Sequence, residues 1–428
     1  MTKHILAALV IACSLVSCGT SSRVVRRQAQ PDDALAPVAL HSSLATAEVE
    51  APKSKRKAVE LSPLEQQLRS ILADSLLETS QAGVHVVDLN TGQTLLSHGA
   101  RQRMRPASTE KVVTAIAALD RLGAAYQLQT QLLTTASVSG SVLQGDIYIK
   151  GVMDPLLSVA DVRSLAAQLR AAGITRINGR LISDASFKDS DELGWGWCWD
   201  DENPTLSPLL CGGKPGLAGQ LLAALKANGI AVARGQSVGT ASAGARALAT
   251  VARPLSAVMQ PMMKESDNLC AEAVFYQLGR TRKQAATVIA DVIMRAYAAF
   301  PLPLAGGESS STIADGSGLS LYNYQTPETF TRLLSYAASR PDEILTPLLQ
   351  ALPIASVDGT LKKRMAATPA EANVRAKTGS VSAVSTLVGY TTQRSTGHLI
   401  AFAIMNQGVR TMAEGRNFQD RLCVALSE

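Results

Sequence analysis

The chain has 428 residues, of which 46% are hydrophobic and 18% charged, enough to bury a sizeable core and more than one domain. Its formal net charge of +6 is not a property of the whole length: residues 1–59 hold eight Lys/Arg against four Asp/Glu, leaving a surplus of two for the rest. Composition therefore gives no basic face for nucleic acid.

The N-terminus carries the charge. Lys3 precedes an apolar run from Ile5 to Leu15, too short to span a bilayer but suited to a signal peptide over residues 1–17. The run ends in Leu15-Val16-Ser17-Cys18, which resembles a lipobox. That reading predicts export, cleavage before Cys18 and lipidation of Cys18, and so a membrane-anchored lipoprotein of the cell envelope. An ordinary signal peptide with an incidental cysteine is the alternative. In a two-membrane envelope, Gly19 rather than Asp after the cysteine favours the outer membrane over retention elsewhere in the periplasm. Residues 18–60 are rich in Ser, Ala, Pro, Arg and Lys without periodicity, which predicts a disordered tether. Its Lys53-Ser54-Lys55-Arg56-Lys57 run is either a solvated linker or a contact for anionic lipid.

Six cysteines are present; removing Cys13 with the signal and lipidating Cys18 leaves Cys198, Cys211, Cys270 and Cys423. None has metal-type spacing, so no zinc or other metal is expected. Cys198 and Cys211 share one Gly/Pro/Trp-rich loop of an exported chain, where a disulfide and two free thiols are both open.

The folded body is expected to start at Ser62-Pro63-Leu64-Glu65, with a Ser cap, Pro in the first turn and Glu at the capping-box place, in a helix running to about Leu77. Gly83 to Leu89 and Gln93 to His98 flank the turn Asn90-Thr91-Gly92 and predict a hairpin, with His85 and His98 as strand residues. Pro106-Ala107-Ser108-Thr109-Glu110-Lys111 then opens a helix that continues through Leu119 and stops at Gly123. Ser108 and Lys111 are i and i+3 on it, so hydroxyl and amine share a face. A serine is a poor nucleophile until its proton is taken, which a partly desolvated lysine can do. Alone, S-x-x-K also fits a plain amphipathic helix.

The 157 residues between Ser108 and Ser266 are too many for a simple connection. They predict strands at Gln127 to Leu133, Val142 to Lys150, Arg176 to Ser183 and Gly229 to Ala233. Helices are expected at Val159 to Ala171 and Leu217 to Asn228, with a loop from Trp195 to Gly216. This reads as an inserted α+β domain over residues 126–254, splitting a main domain of residues 61–125 and 255–428. Helices return at Ser266 to Leu278, Lys283 to Ala299 and Thr326 to Ala338. Strands at Asn373 to Lys377, Val384 to Thr391 and His398 to Asn406 precede a last helix, Glu414 to Leu426. Sharing one antiparallel sheet with the N-terminal hairpin, these strands would bring Lys377 beside the Ser108 helix.

Two further stretches complete a set. Ser266-Asp267-Asn268 and Lys377-Thr378-Gly379-Ser380 follow Ser108-Thr109-Glu110-Lys111 in the order S-x-x-K, S-x-N, K-T-G. With that trio, the chain resembles the class C low-molecular-mass penicillin-binding proteins, the D-alanyl-D-alanine carboxypeptidase/endopeptidase family of serine peptidases. Four more stretches are similar to family blocks: Lys150 to Leu156, Trp199-Asp200-Asp201, Asp315 to Ser320 and Val357 to Leu361. The resemblance covers about residues 62–428. It implies an α/β (α+β) transpeptidase-like domain, an antiparallel sheet flanked by helices, with a smaller inserted α+β domain. It departs in one place: family members often nest a further domain in the insertion, and here the Trp195 to Gly216 loop leads quickly into a helix, so that domain is expected to be absent or very small.

The resemblance also implies a substrate, peptidoglycan stem peptides ending in D-Ala-D-Ala, and β-lactams as covalent inhibitors. Ser108 would attack the carbonyl between the two D-alanines and Lys111 would take its proton. Ser266 and Lys377 would relay a proton to the leaving D-alanine, with the two lysines holding each other's pKa down. Asn268 would hold the substrate amide, the Thr378 and Ser380 hydroxyls with Lys377 behind them would hold the terminal carboxylate, and Gly379 would let the strand approach closely. Backbone N–H groups of Ser108 and Ser380 would form an oxyanion hole, worth on the order of 3 kcal/mol per donor. No cofactor is implied. Asp315 to Ser320 reads equally as the rim of the site or as a tight structural turn, and Asp154 as structural. Three competing readings are a non-catalytic penicillin-recognising or wall-binding lipoprotein, a β-lactamase, and a nucleophile elbow at Gly235-Gln236-Ser237-Val238-Gly239 with His398 as base.

Overall fold

The structure, a computed structural model, describes residues 62–199, 201–300 and 310–428. The signal peptide, Cys18, the tether and Asp200 lie outside the described residues.

The chain enters through α1 (Pro63–Ile71), whose capping box is present as expected, with Ser62 and Glu65 each accepting from the other's backbone N–H. The helix stops six residues short of Leu77 because Asp74 accepts from the Leu76 N–H and starts a separate 3₁₀ turn over Ser75–Glu78. The hairpin follows as β1 (Gln81–Asp88) and β2 (Thr94–His98). A 3₁₀ turn at Ala107–Thr109 leads into α2 (Glu110–Leu122), closed by Gly123 at φ +79°.

Between residues 127 and 254 come β3 (Gln127–Thr134), β4 (Val138–Ser139), β5 (Val142–Leu143), β6 (Ile147–Lys150), α3 (Val159–Ala171), β7 (Arg176–Ile177) and β8 (Leu181–Asp184). They are followed by β9 (Leu210–Cys211), β10 (Lys214–Pro215), α4 (Leu217–Ala227), β11 (Ala231–Val232), β12 (Gln236–Val238) and β13 (Arg246–Pro254). Their sheets run β12-β8-β6-β3-β13 and β11-β7-β5-β4. The apolar side chains of these strands and of α3 and α4 form a cluster of their own, including Leu132, Ile149, Leu165 and Leu221. The nine-residue β13 has no counterpart in the sequence reading. Ala- and Arg-rich, it has little β preference, and its pairing along the whole of β3 makes it a strand. Each of the runs Val142 to Lys150 and Arg176 to Ser183 is broken into two strands. Among its described residues the Trp195 to Gly216 segment holds only the short β9–β10 hairpin before α4. Chain exit and return lie side by side, the Leu255 N–H donating to the Tyr126 carbonyl at 2.7 Å.

The remaining elements are α5 (Leu255–Lys264), α6 (Asn268–Leu278), α7 (Arg282–Ala299), α8 (Pro327–Ala338), α9 (Thr346–Ala351), β14 (Arg375–Val381), β15 (Val384–Thr392), β16 (Leu399–Gln407) and α10 (Met412–Ser427). The central sheet is antiparallel, in the order β14-β15-β16-β1-β2, uniting the hairpin with the late strands as the sequence predicts. Both faces are covered. Along β16, Ala401, Ala403 and Met405 join the core under α2, α6 and α8, while Ile400, Phe402 and Ile404 join a second core with α1 and α10. This alternation explains why β16 is apolar at consecutive positions.

The four described cysteines are free thiols, which settles the open question at Cys198 and Cys211 in favour of two thiols.

Candidate active site

Three chain corners meet at one cavity of about 320 Å³, lined among others by Ser108, Ser266, Thr378, Gly379 and Ser380. Ser108 sits in the 3₁₀ turn that precedes α2, after Ala107 at φ +47°, a left-handed conformation that costs a non-glycine residue of order 1 kcal/mol. The turn is clamped from both sides. The strand β14 lies so close that a methyl group on Gly379 would come within 2.7 Å of the Pro106 carbonyl oxygen and 3.0 Å of the Thr109 nitrogen. From the other side the loop at Gly318, φ +84°, leaves no room for a β-carbon against the Ala107 carbonyl.

The S-x-N stretch is a helix-to-helix corner, not the start of a helix. Ser266, at φ +62°, follows the end of α5, and Asp267 caps α6 by accepting from the Cys270 N–H at 2.8 Å. Asn268, the first residue of α6, thereby reaches Lys111.

Lys111 is fully buried and has three partners. Its Nζ lies 2.7 Å from Asn268 Oδ1, 2.7 Å from the Ser317 carbonyl oxygen and 3.1 Å from Ser108 Oγ. The first two can only accept. A neutral amine has two N–H donors and one lone pair, so they take both donors and leave the lone pair on the Ser108 hydroxyl. Burial lowers the Lys111 pKa to about 8, against the opposing pull of Asp315 and Glu272. Lys377, also fully buried, is held well below its ordinary value first by desolvation and then by the charge of Lys111. Its Nζ donates to the Thr378 carbonyl at 2.8 Å. Burial is thus the first cause of the lowering at both lysines, with their mutual repulsion second to it at Lys377.

Sequence reasoning passed over the groups behind Lys111. Glu272 accepts from the Gly316 N–H, and desolvation followed by the Asp315 charge pushes its carboxyl up to about 8. Glu110, fully buried against Gln325, is likewise raised, first by desolvation. Asp315 organises its loop, accepting from the Gly318 and Ser320 N–H groups, the Asn323 amide and Trp197 Nε1. The loop is therefore a tight turn standing behind Lys111, which it reaches through the Ser317 carbonyl. Thr360, inside the Val357 to Leu361 stretch, also lines the cavity, together with Arg364 and Arg416, whose sequence neighbourhoods carry no signal for it. Among the described residues no group of His, Cys, Asp and Glu is placed to hold a metal ion.

The competing constellation is taken apart. Ser237 lies in the edge strand β12, and the next element is β13, so no strand-to-helix elbow exists. His398 Nδ1 is bonded to Asp88 Oδ2 at 2.8 Å. His85 is buried in β1 with Nδ1 on Thr331, its pKa lowered to about 4 by burial, and His98 ends β2. Asp154 is structural, paired with Arg253 at 3.0 Å.

The D-Ala-D-Ala carboxypeptidase 3 (S13) family matches residues 64–209 and 214–428, interrupted only at the β9–β10 turn. A D-alanyl-D-alanine carboxypeptidase of an Actinomadura species is 28% identical, over 86% of this chain and 85% of its own. A carboxypeptidase of Mycobacterium tuberculosis is 31% identical, over 80% of this chain and 79% of its own. Among solved structures, penicillin binding protein 4 (dacB) of Haemophilus influenzae has the same fold, with a TM-score of 0.72 at 24% identity, covering 85% of this chain and 99% of that one.

Proposed function

The chain belongs to the D-Ala-D-Ala carboxypeptidase 3 (S13) family, and from that membership and the site's geometry we propose how it works. It is a serine-type D-Ala-D-Ala carboxypeptidase, with capacity as an endopeptidase, that acts on peptidoglycan stem peptides through an acyl-enzyme and is trapped covalently by β-lactams. Ser108 is the nucleophile and Lys111 its base. The observation that carries this assignment is the environment of Lys111 Nζ, whose two strict acceptors leave its lone pair to the serine hydroxyl.

The proton balance closes. Lys111 takes the Ser108 proton as Oγ bonds to the carbonyl carbon, and the developing oxyanion is met by the Ser108 and Ser380 N–H groups. The C–N bond breaks as a proton reaches the leaving D-alanine nitrogen through Ser266 and Lys377. Water, activated by the same groups, then hydrolyses the ester and restores Ser108. Asn268 holds the stem-peptide amide, and the Thr378 and Ser380 hydroxyls face the leaving carboxylate. Residues 126–254 act as an inserted domain that walls the approach through the Trp195 to Gly216 segment; Trp197 donating to Asp315 supports this division of labour.

The test is intact-protein mass spectrometry of the full chain after incubation with benzylpenicillin, beside a Ser108→Ala control. One covalent adduct on the native chain and none on the variant is the expected result. An adduct on both, or neither adduct nor drug hydrolysis on folded protein, would sink the assignment.

Export and lipidation at Cys18, with the enzyme working in the cell envelope, are part of the same reading and rest on Leu15-Val16-Ser17-Cys18. Metabolic labelling with a radioactive fatty acid is expected to mark the native chain and not a Cys18→Ser variant.

A further inference from the structure

The cavity at Ser108 does not end with the motif residues. Past Thr378 and Ser380 it reaches a wall carrying Arg364 and Arg416, its only charged lining among the described residues. The two guanidiniums differ in what they already hold. Arg364 donates to Asp420 Oδ1 from Nε at 3.0 Å and from Nη2 at 2.6 Å, and Nη2 also reaches Gln419 Oε1 at 3.1 Å. Its charge is spoken for. Arg416 is exposed, and among the described residues no carboxylate pairs with it.

Its place is fixed by packing. The first turns of α10 lie over β15, so closely that a methyl on Gly415 would come within 2.7 Å of Ser385 Cβ. Ser385 is the cross-strand partner of Ser380. Arg416 thus follows directly the helix position that touches the strand pair presenting Ser380. The anion-facing groups of that strand pair are hydroxyls, which are neutral donors. Lys377, the nearest cation behind them, is fully buried and gives its amine to the Thr378 carbonyl. Burial also holds its pKa well below the usual lysine range, so it is a poor permanent charge.

We propose that Arg416 is the specificity residue for the carboxylate of the leaving D-alanine, the one permanent cation that the open cavity offers to a substrate anion. This deepens the hydrolase reading above and rests on it. A guanidinium supplies a charge-assisted bond that the Thr378 and Ser380 hydroxyls alone cannot, and a cavity lined by one sign of charge concentrates the opposite sign. A substrate with an uncharged C-terminus gains nothing from it.

The experiment compares one acylated peptide ending in D-Ala-D-Ala, as free acid and as C-terminal amide, on the full native chain, Arg416→Ala and Arg416→Lys. On the acid, Arg416→Ala is expected to lower kcat/KM by about tenfold, mostly through KM, while Arg416→Lys recovers part of the loss. On the amide, all three are expected to agree to within about twofold, because no charge-assisted bond is at stake. Equal losses on acid and amide would mark a structural effect, and an unchanged acid substrate would mean no role; either overturns the proposal. Binding of the same peptides to Ser108→Ala, with and without Arg416→Ala, reads the contact without chemistry. If the native chain hydrolysed neither peptide while Ser108→Ala still preferred the acid through Arg416, the hydrolase reading would fail and the carboxylate site would stand. No preference for the acid in that pair would overturn the site itself.

Discussion

In the proposed role of base Lys111 must be neutral, yet it sits among groups that favour its cation. Burial wins and brings its pKa to about 8. Below that value Lys111 carries the proton it needs to lack, so kcat/KM and the acylation rate are expected to fall about tenfold per pH unit toward acid. A pH–rate profile flat from pH 8 downward would contradict this. Glu272 gives a stability prediction of definite sign. Its carboxyl, ordinarily near 4.5, is raised to about 8, so between those values the folded chain holds a proton that the unfolded chain has lost. Stability therefore falls as pH rises through that window, fully present only below it. Glu272→Gln keeps an oxygen for the Gly316 N–H and removes the titration, so its melting temperature is expected to gain on the native chain from about pH 5 to about pH 8. The Ser108–Lys111 pair was legible in sequence because i and i+3 positions meet locally. Glu272, Arg364 and Arg416 were not, since their places at the site depend on contacts between distant segments.

At the scale of elements, the site is held by corners whose backbone geometry is chosen for position over stability. Ser266 occupies a left-handed conformation at φ +62° between two helices. Ser266→Gly is expected to raise stability by about 1 kcal/mol by relieving that strain, while turnover falls with loss of the hydroxyl. Thermal unfolding and peptide hydrolysis on the same preparation measure both. Gly379 works by absence: an added methyl would meet Pro106, Thr109 and Thr386. Gly379→Ala is expected to push β14 off the Ser108 turn and slow β-lactam acylation by about 10²-fold, the scale of a 1 Å misplacement. An unchanged acylation rate would show that the strand is not what positions Ser108. Helices with full caps, such as α1 and α3, were placed well from sequence at their starts. The strand β13 was missed because Arg, Ala and Pro do not announce it.

Across the whole molecule, the segment between residues 127 and 254 has its own core but is not packed alone. Leu128, Met153, Phe187 and Leu206 belong to the main core under the central sheet. One cooperative thermal transition, not two, is the expected calorimetric outcome for the folded body. Trp197 tightens the same link by donating to Asp315 at 2.8 Å. Trp197→Phe keeps an aromatic ring, though a smaller one, and removes the donor, which is expected to cost about 1–2 kcal/mol and to slow benzylpenicillin acylation through the Gly318 loop. Loss of stability with an unchanged acylation rate would confine Trp197 to a structural part.

By itself the sequence determined the family resemblance and the order of most elements, and it supplied the motifs on which the proposed chemistry rests. Ser108, Lys111, Ser266, Lys377 and Gly379 sit in short motifs whose residue types are demanded by proton transfer and close approach, and periodicity placed the hairpin beside the late strands. Tertiary structure alone decided that Lys111 owes its lowered pKa to burial, that Asn268 and Ser317 orient its lone pair, and that two arginines close the far wall. The physical reason is range. A motif records contacts within a turn or two of chain, whereas desolvation, charge coupling and the lining of a cavity are sums over segments hundreds of residues apart.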